Sequence, residues 1–198
     1  MKTPEELFKI NAEYYSNLFQ LVAKCGIVDV GTFEIKSDDF DSIYRPSQAN
    51  GVDVRTAEPF WNMFDWLKRY DAFPCLYRWE ITSPTILYPE TVNKIKQQLK
   101  DIKQTDSTQT PRIVKAAFPK DNTLYVGKSE NIVSRIMNHL GYHEQINMHG
   151  LHLDNWIKDF RLTLNLHVYV FPQECKPIME LFERSLADIH PTLIGTHK

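Results

Sequence analysis

The chain has 198 residues, of which 42% are hydrophobic and 24% charged, and its formal charge of −2 means that any nucleic-acid binding requires a local basic groove. No apolar run approaches the ~18 to 20 residues of a membrane-spanning helix, and the N-terminus lacks the apolar core of a signal peptide, so a cytoplasmic protein without membrane contact is expected. Three widely spaced cysteines without a CxxC pair argue against a disulfide framework and against a cysteine-based zinc site.

Residues 1–73 are predicted to form an N-terminal helical extension packed on the core. A first helix is expected from Pro4 to Lys24, because Thr3 is a suitable N-cap and Gly26 follows the last apolar turn. Its apolar face is predicted at Leu7, Ile10, Tyr14, Leu18 and Leu21. A second helix, rich in core-forming aromatic residues at helical spacing, is expected over residues 58–71, with loops and weak strands between the two helices.

Residues 74–198 carry the stronger strand signals. An aromatic and apolar run predicts a strand over residues 74–81, and strict alternation of apolar residues predicts another over residues 162–171. A polar, lysine-rich helix is expected as an insertion at about residues 89–105. The other expected elements are a β-hairpin of residues 112–118 with 123–127, a helix over 130–140 with Ser129 as its N-cap, a short helix over 151–160 and a last helix over about 173–189.

The Gly127-Lys128-Ser129 triplet raises the possibility of a nucleotide-binding phosphate loop. Such a loop needs a second glycine five residues before Gly127, and that position holds Asn122. The intervening residues 123–126 read as strand, whereas a phosphate-binding loop must turn its backbone amides toward the ligand. The sequence therefore argues against a P-loop.

The segment around Gly127 is better explained as a strand followed by a helix that together bring polar side chains to a common face. Tyr125 lies near the end of a predicted strand, and Arg135 and His139 are four residues apart, which places them on one face of the following helix. Glu183 falls in the apolar stripe of the last predicted helix. A carboxylate in such a stripe needs a partner or a metal ion, because burying an unpaired charge is costly.

These residues occur in a pattern that resembles the GIY-YIG nuclease superfamily over about residues 74–195. The matching segments are Leu124-Tyr125-Val126-Gly127-Lys128-Ser129, Asn131-x-x-x-Arg135-x-x-x-His139 and Glu183-x-x-Leu186-x-x-x-x-Pro191. The family's first signature strand has two candidates in this sequence. Residues 75–77 are favoured, because Tyr77 keeps the hydroxyl group, whereas residues 112–114 have no tyrosine. The asparagine that usually follows the proline is missing.

The resemblance implies an α+β fold with a small antiparallel sheet of three or more strands flanked by helices. It further implies a metal-dependent endonuclease that hydrolyses phosphodiester bonds of DNA with Mg²⁺ or Mn²⁺. The implied catalytic residues are Tyr77, Tyr125, Arg135, His139 and Glu183, with Glu183 as the metal ligand. Gly127, Lys128 and Ser129 are the implied substrate-binding residues, and a homodimer is possible.

Two alternatives remain open from the sequence. A chain without a working tyrosine would be a catalytically inactive module of the same fold that binds nucleic acid or protein. Separately, the histidines at positions 139, 143, 149 and 152, with Cys175 further along the chain, offer ligands for a structural zinc ion.

Overall fold

The computed structural model describes residues 2–41, 43, 53–83, 89–105, 121–142 and 150–195. They form an α+β fold with a four-stranded antiparallel sheet and five α-helices, the first of which is N-terminal, and this confirms the predicted fold class. The helices are α1 (Pro4–Cys25), α2 (Glu58–Lys68), α3 (Pro89–Thr105), α4 (Ile132–Leu140) and α5 (Met179–Ile189). The strands are β1 (Asp29–Lys36), β2 (Cys75–Ser83), β3 (Thr123–Ser129) and β4 (Thr163–Val170).

The sheet has the order β1-β4-β2-β3, so β2 and β3, which α3 separates in sequence, lie side by side and β3 forms one edge. Tyr77 on β2 lies opposite Gly127 on β3, and the same strand pairs on its other side with β4. The alternation predicted for β4 is confirmed, since its buried residues are every second one. The strand predicted over residues 112–118, which includes the alternative first signature strand of residues 112–114, lies outside the described residues.

The N-terminal segment contributes more to the sheet than a helical extension would. β1 pairs with β4 along its whole length, from Asp29 opposite Val170 to Lys36 opposite Thr163. Ile35 of β1 and Phe64 of α2 are buried in the same core as the strands that follow. Residues 1–73 therefore supply an edge strand and part of the core, and the predicted boundary at residue 73 does not separate two cores.

Each face of the sheet has its own apolar cluster. The larger cluster joins Tyr77 and Trp79 of β2 to the buried sides of α2, α3 and α4. A smaller cluster on the opposite face contains Leu18 of α1, Leu76 of β2 and Met179 of α5. Because neighbouring residues of a strand point to opposite faces, β2 links the two clusters.

Two predicted helices differ from the observed ones for local reasons. The region predicted as one short helix over residues 151–160 forms two 3₁₀ segments, Leu153–Asn155 and Ile157–Phe160, separated by Trp156. The last helix starts as a 3₁₀ segment, Gln173–Ile178, and becomes α-helical only after Pro177. Proline lacks a backbone N–H and cannot occupy an α-helix interior without disturbing it.

The helix predicted at about residues 89–105 is confirmed as α3, whereas its description as an insertion stays a prediction. Among the residues that the structure describes, no helix is both long and apolar enough to cross a membrane.

Candidate active site

The candidate site lies where β2, β3 and the start of α4 meet. Tyr77 points from β2 toward β3 and is fully buried. Its ring fills the space over Gly127, because a Cβ atom at that position would come within 2.4 Å of the Tyr77 hydroxyl oxygen. Only glycine leaves room for this ring, so Gly127 has a packing role, and its predicted contact with substrate stays a prediction.

Helix α4 brings Arg135 and His139 to the same side, as their spacing predicts. The helix begins after Asn131, which is its N-cap, so the prediction of Ser129 as N-cap is wrong. The Ser129 hydroxyl instead accepts a hydrogen bond from the backbone N–H of Asn131 at 3.0 Å, in the turn before the helix. The helix ends at Gly141, whose φ of 98° is accessible to glycine at little cost.

Four of the predicted catalytic side chains form one hydrogen-bonded network. The Arg135 Nε donates to the Tyr77 hydroxyl at 2.8 Å, and its Nη2 donates to the Tyr125 hydroxyl at 3.2 Å. The His139 Nε2 lies 2.8 Å from the Tyr77 hydroxyl. The two tyrosine rings are stacked, with centroids 6.1 Å apart, so one guanidinium is held between two phenols.

The hydrogen bonds of His139 define its protonation state. Its Nδ1 accepts the backbone N–H of Leu151 at 3.1 Å, so this nitrogen carries no proton. Burial, together with the charges of Arg135 and His152, holds the pKa of His139 well below its usual value. The ring is therefore neutral, its proton is on Nε2, and it donates to Tyr77. This arrangement does not suit His139 to act as a proton acceptor near neutral pH.

The Tyr77 hydroxyl accepts hydrogen bonds from Arg135 and His139 but stays protonated. Burial and the adjacent Tyr125 raise the pKa of Tyr77 well above its usual value, and Arg135 only partly opposes this shift. For Arg135, the two phenols outweigh the effect of burial and raise its pKa above the usual value, so the guanidinium stays charged. Tyr125, unlike Tyr77, is partly exposed and can meet a ligand.

Glu183 lies on α5, which packs against β3. The carboxylate is half-buried on α5 and accepts the backbone N–H of Lys128. Burial raises its pKa, while Lys128 and Arg135 lower it through their positive charges. Glu183 in turn raises the pKa of Tyr77, so the carboxylate, the guanidinium and the phenol interact electrostatically.

A surface groove lies next to Lys128, whose backbone N–H donates to Glu183. It has a volume of about 290 Å³ and is lined by Lys128, Ser129, Glu130, Asn131, Lys176 and Met179. The Lys128 side chain is exposed, whereas Lys176 forms a 2.5 Å ion pair with Glu130. Sequence spacing gave no signal for Lys176, because it lies in the 3₁₀ segment before α5 and reaches the groove only through the tertiary fold.

The donor set at Glu183 fits a hydrated Mg²⁺ or Mn²⁺ ion. Mg²⁺ is commonly held by one or two carboxylates and keeps several water ligands. Within the described ranges, Glu183 has no salt bridge and no other hydrogen-bond donor than the Lys128 amide, which leaves carboxylate lone pairs for a cation. Burial raises the pKa of the Glu183 carboxyl, and a cation bound beside it would stabilise the charged carboxylate.

The zinc alternative is not tested by the structure. His143 and His149 lie outside the described residues, and His152 is buried with a left-handed backbone. In the part of the chain that the structure describes, no three His, Cys, Asp or Glu side chains are grouped so that they could hold a metal ion. A metal bound by Glu183, water and substrate would not require such a group.

Comparisons of the chain with protein-family models, with curated proteins and with solved structures find no match.

Proposed function

We propose that the chain is a metal-dependent endonuclease of the GIY-YIG type that hydrolyses phosphodiester bonds of DNA. The observation that supports this best is the arrangement of two phenols around one guanidinium, whose positive charge also lowers the pKa of the half-buried Glu183 carboxylate. These are the residue types that the resemblance implies, and they come from three separate parts of the chain. A guanidinium, a phenol and a carboxylate that could hold a metal ion are the groups that phosphoryl chemistry uses.

In this proposal each side chain acts on a phosphodiester where negative charge develops. Arg135 stabilises the phosphoryl oxygens, and its two tyrosine contacts fix its direction before the substrate arrives. Glu183 would hold the divalent cation, which when bound polarises the phosphoryl group or the leaving 3′-oxygen. Water attacks phosphorus, the bond from phosphorus to the 3′-oxygen breaks, and a proton passes to that oxygen.

The two tyrosines have different roles in the proposal. Tyr77 is fully buried, so it positions Arg135 and does not meet the substrate. Tyr125 is partly exposed and is the phenol that orients the attacking water. Lys128 extends the site with a positive charge for the DNA backbone.

The test is cleavage of supercoiled plasmid, linear duplex and single-stranded DNA with Mg²⁺, with Mn²⁺ or with a chelator. Three variants, Arg135→Lys, Glu183→Gln and Tyr125→Phe, should each lower the cleavage rate, with losses of about 10²-fold or more for the first two. The matched controls are Arg184→Lys and Glu180→Gln, because these two residues pair with each other on the exposed side of α5. Both controls should cut at the wild-type rate.

Absence of metal-dependent cleavage by the wild-type protein on all substrates would contradict the proposal. Cleavage that is equally fast in the Arg135→Lys and Glu183→Gln variants would also contradict it, because the activity would then come from elsewhere. Saturable DNA binding without any cleavage would favour the inactive binding module.

A further inference from the structure

Helix α1 presents an unusually large apolar surface. Its residues Leu7, Phe8, Ile10, Tyr14, Tyr15, Phe19 and Leu21 are all exposed, and Phe8 is 76% exposed. Of the apolar face predicted for packing, only Leu18 is buried, at 6% exposure, where it joins the smaller apolar cluster. Within the described part of the chain, the rest of that face has no covering element.

At 3.6 residues per turn the exposed side chains form two strips that flank the buried Leu18, with Leu7, Ile10, Tyr14 and Leu21 on one side and Phe8, Tyr15 and Phe19 on the other. Taking ~200 Å² for a fully exposed large side chain, the first strip exposes roughly 360 Å² and the second roughly 320 Å², so together they approach one side of a standard interface. The largest apolar patch of a typical monomer is about 300–600 Å², and a standard interface buries ~800 Å² on each partner. The second strip continues onto Ile178 and Leu181, which line a groove of about 340 Å³ together with Tyr15 and Phe19.

The spacing within α1 suits pairing with another helix. Leu7, Ile10, Tyr14 and Leu21 are three, four and seven residues apart, which is the repeat of residues that face a neighbouring helix in a coiled coil. The helix has 22 residues and is therefore about 33 Å long, enough for several layers of contacts.

The charges of α1 favour an antiparallel copy of the same helix. Glu5 and Glu6 lie in its first turn and Lys24 in its last. In an antiparallel pair, Lys24 of each copy lies beside Glu5 and Glu6 of the other, and the two helix dipoles oppose each other. A parallel pair would place like charges side by side at both ends.

We propose that α1 pairs with α1 of a second copy of this chain in an antiparallel, two-fold symmetric dimer centred near Tyr14 and Tyr15. A single self-complementary patch meets itself across a two-fold axis, which is the usual construction of homodimers. The two-fold axis packs Leu7 of one copy near Leu21 of the other. This interface is separate from the candidate active site, and the proposal does not depend on the proposed function.

The first test is sedimentation equilibrium of the full chain over a range of concentrations, with the Ile10→Lys and Tyr14→Lys variants. The wild type should be dimeric, and each substitution should raise the dissociation constant at least tenfold. Both positions are solvent-exposed within the chain, so circular dichroism should show an unchanged fold. The matched controls are Trp61→Lys on α2 and Ile189→Lys on α5, which are also exposed and should leave the dimer intact.

Crosslinking tests the orientation of the two helices. In a Cys25→Ser background, the remaining cysteines, Cys75 and Cys175, are buried. Tyr14→Cys lies near the proposed axis and should form a crosslinked dimer with a short bismaleimide. Leu7→Cys should not, because its two copies would be about 20 Å apart along the helices at 1.5 Å per residue.

A wild-type protein that stays monomeric to ~100 µM, far above micromolar affinity, would overturn the proposal. So would a dimer that the Ile10→Lys and Tyr14→Lys variants leave unchanged. Efficient crosslinking through Leu7→Cys would overturn the antiparallel arrangement, since only parallel helices bring those residues together.

Discussion

His139 illustrates at the scale of one residue how burial changes the chemistry of a side chain. An exposed histidine exchanges its proton near neutral pH, but this ring is only 1% exposed and both of its nitrogens have hydrogen-bond partners. It functions as a fixed donor to Tyr77. The Tyr77 hydroxyl also accepts a hydrogen bond from Arg135, so the neutral form of His139 helps to keep the guanidinium in place.

The low pKa of His139 predicts a loss of stability in mild acid. In the folded protein the pKa lies well below 6.5, whereas in the unfolded chain it is near 6.5. Below pH 6.5 the unfolded chain therefore binds a proton that the folded protein does not bind. The free energy of unfolding should fall by up to about 1.4 kcal/mol per pH unit from this group alone.

Urea unfolding at several pH values between 7.5 and 5.5 checks this prediction, with the His139→Gln variant beside the wild type. The variant should be less stable at pH 7.5 but should lose less stability on acidification. Glu183, whose pKa is raised by burial, acts in the opposite direction as the pH approaches 4.5, but it is present in both proteins and cancels in the comparison. Parallel pH profiles of the two proteins would contradict the buried, neutral state of His139.

At the same scale, sequence spacing could predict which side chains share a face but not how deeply they lie. Arg135 and His139 are one helical turn apart, and this local relation is confirmed. The complete burial of Tyr77 and the partial exposure of Tyr125 depend on α4 packing over the sheet, and no local pattern contains that information. The different roles proposed for the two tyrosines therefore required the fold.

At the scale of elements, the contact between β2 and β3 depends on one glycine. A Cβ atom at Gly127 would lie 2.4 Å from the Tyr77 hydroxyl oxygen and 2.8 Å from Tyr125 Cε1. Tyr77 cannot move aside, because Arg135 and His139 hold its hydroxyl. We expect Gly127→Ala to lower the free energy of unfolding by about 1–3 kcal/mol, as overpacking of a core does.

The Gly127→Ala prediction is measured by urea unfolding, with Gly31→Ala on β1 as the matched control. The nearest atoms to a Cβ at Gly31 are the ring tips of Phe33 and Trp66, which are only partly buried and can shift. The loss of stability should therefore be smaller there. Equal or larger destabilisation by Gly31→Ala would show that the packing of Tyr77 is not the cause.

The elements that the sequence predicted well are those governed by local rules. The start of α1 is one example, since Thr3 and Glu6 form the reciprocal hydrogen bonds of a capping box. The eight-residue strand β1 was predicted only as weak structure, because its short apolar pattern is interrupted by Gly31 and gains its stability from pairing with β4. Strands stabilised by distant partners give weak signals within their own sequence.

At the scale of the whole molecule, the candidate site is a product of topology. Tyr77 and Gly127 lie on adjacent strands although α3 and its flanking segments separate them in sequence. Loop closure costs only slightly more free energy as a loop lengthens, so an insertion of this kind leaves the strand pairing possible. The sequence could predict that strand pairing through the resemblance, but not the β1-β4-β2-β3 order that places β3 at an edge beside α5.

The overall charge of −2 makes a further prediction for the proposed function, namely that DNA binding depends on few cations near the site. Lys128 is exposed at the groove that it lines with Lys176, whereas the charge of Lys176 is offset by Glu130. In a Glu183→Gln background without metal, Lys128→Ala should weaken binding of duplex DNA and reduce the slope of log K against log salt by about 0.9, the value for one lost phosphate contact. Fluorescence anisotropy at several salt concentrations measures this slope, with Lys94→Ala as the control, because Lys94 is also exposed but lies on α3. A slope that changes with Lys94→Ala and not with Lys128→Ala would place the DNA path along α3 instead of along the β3 edge.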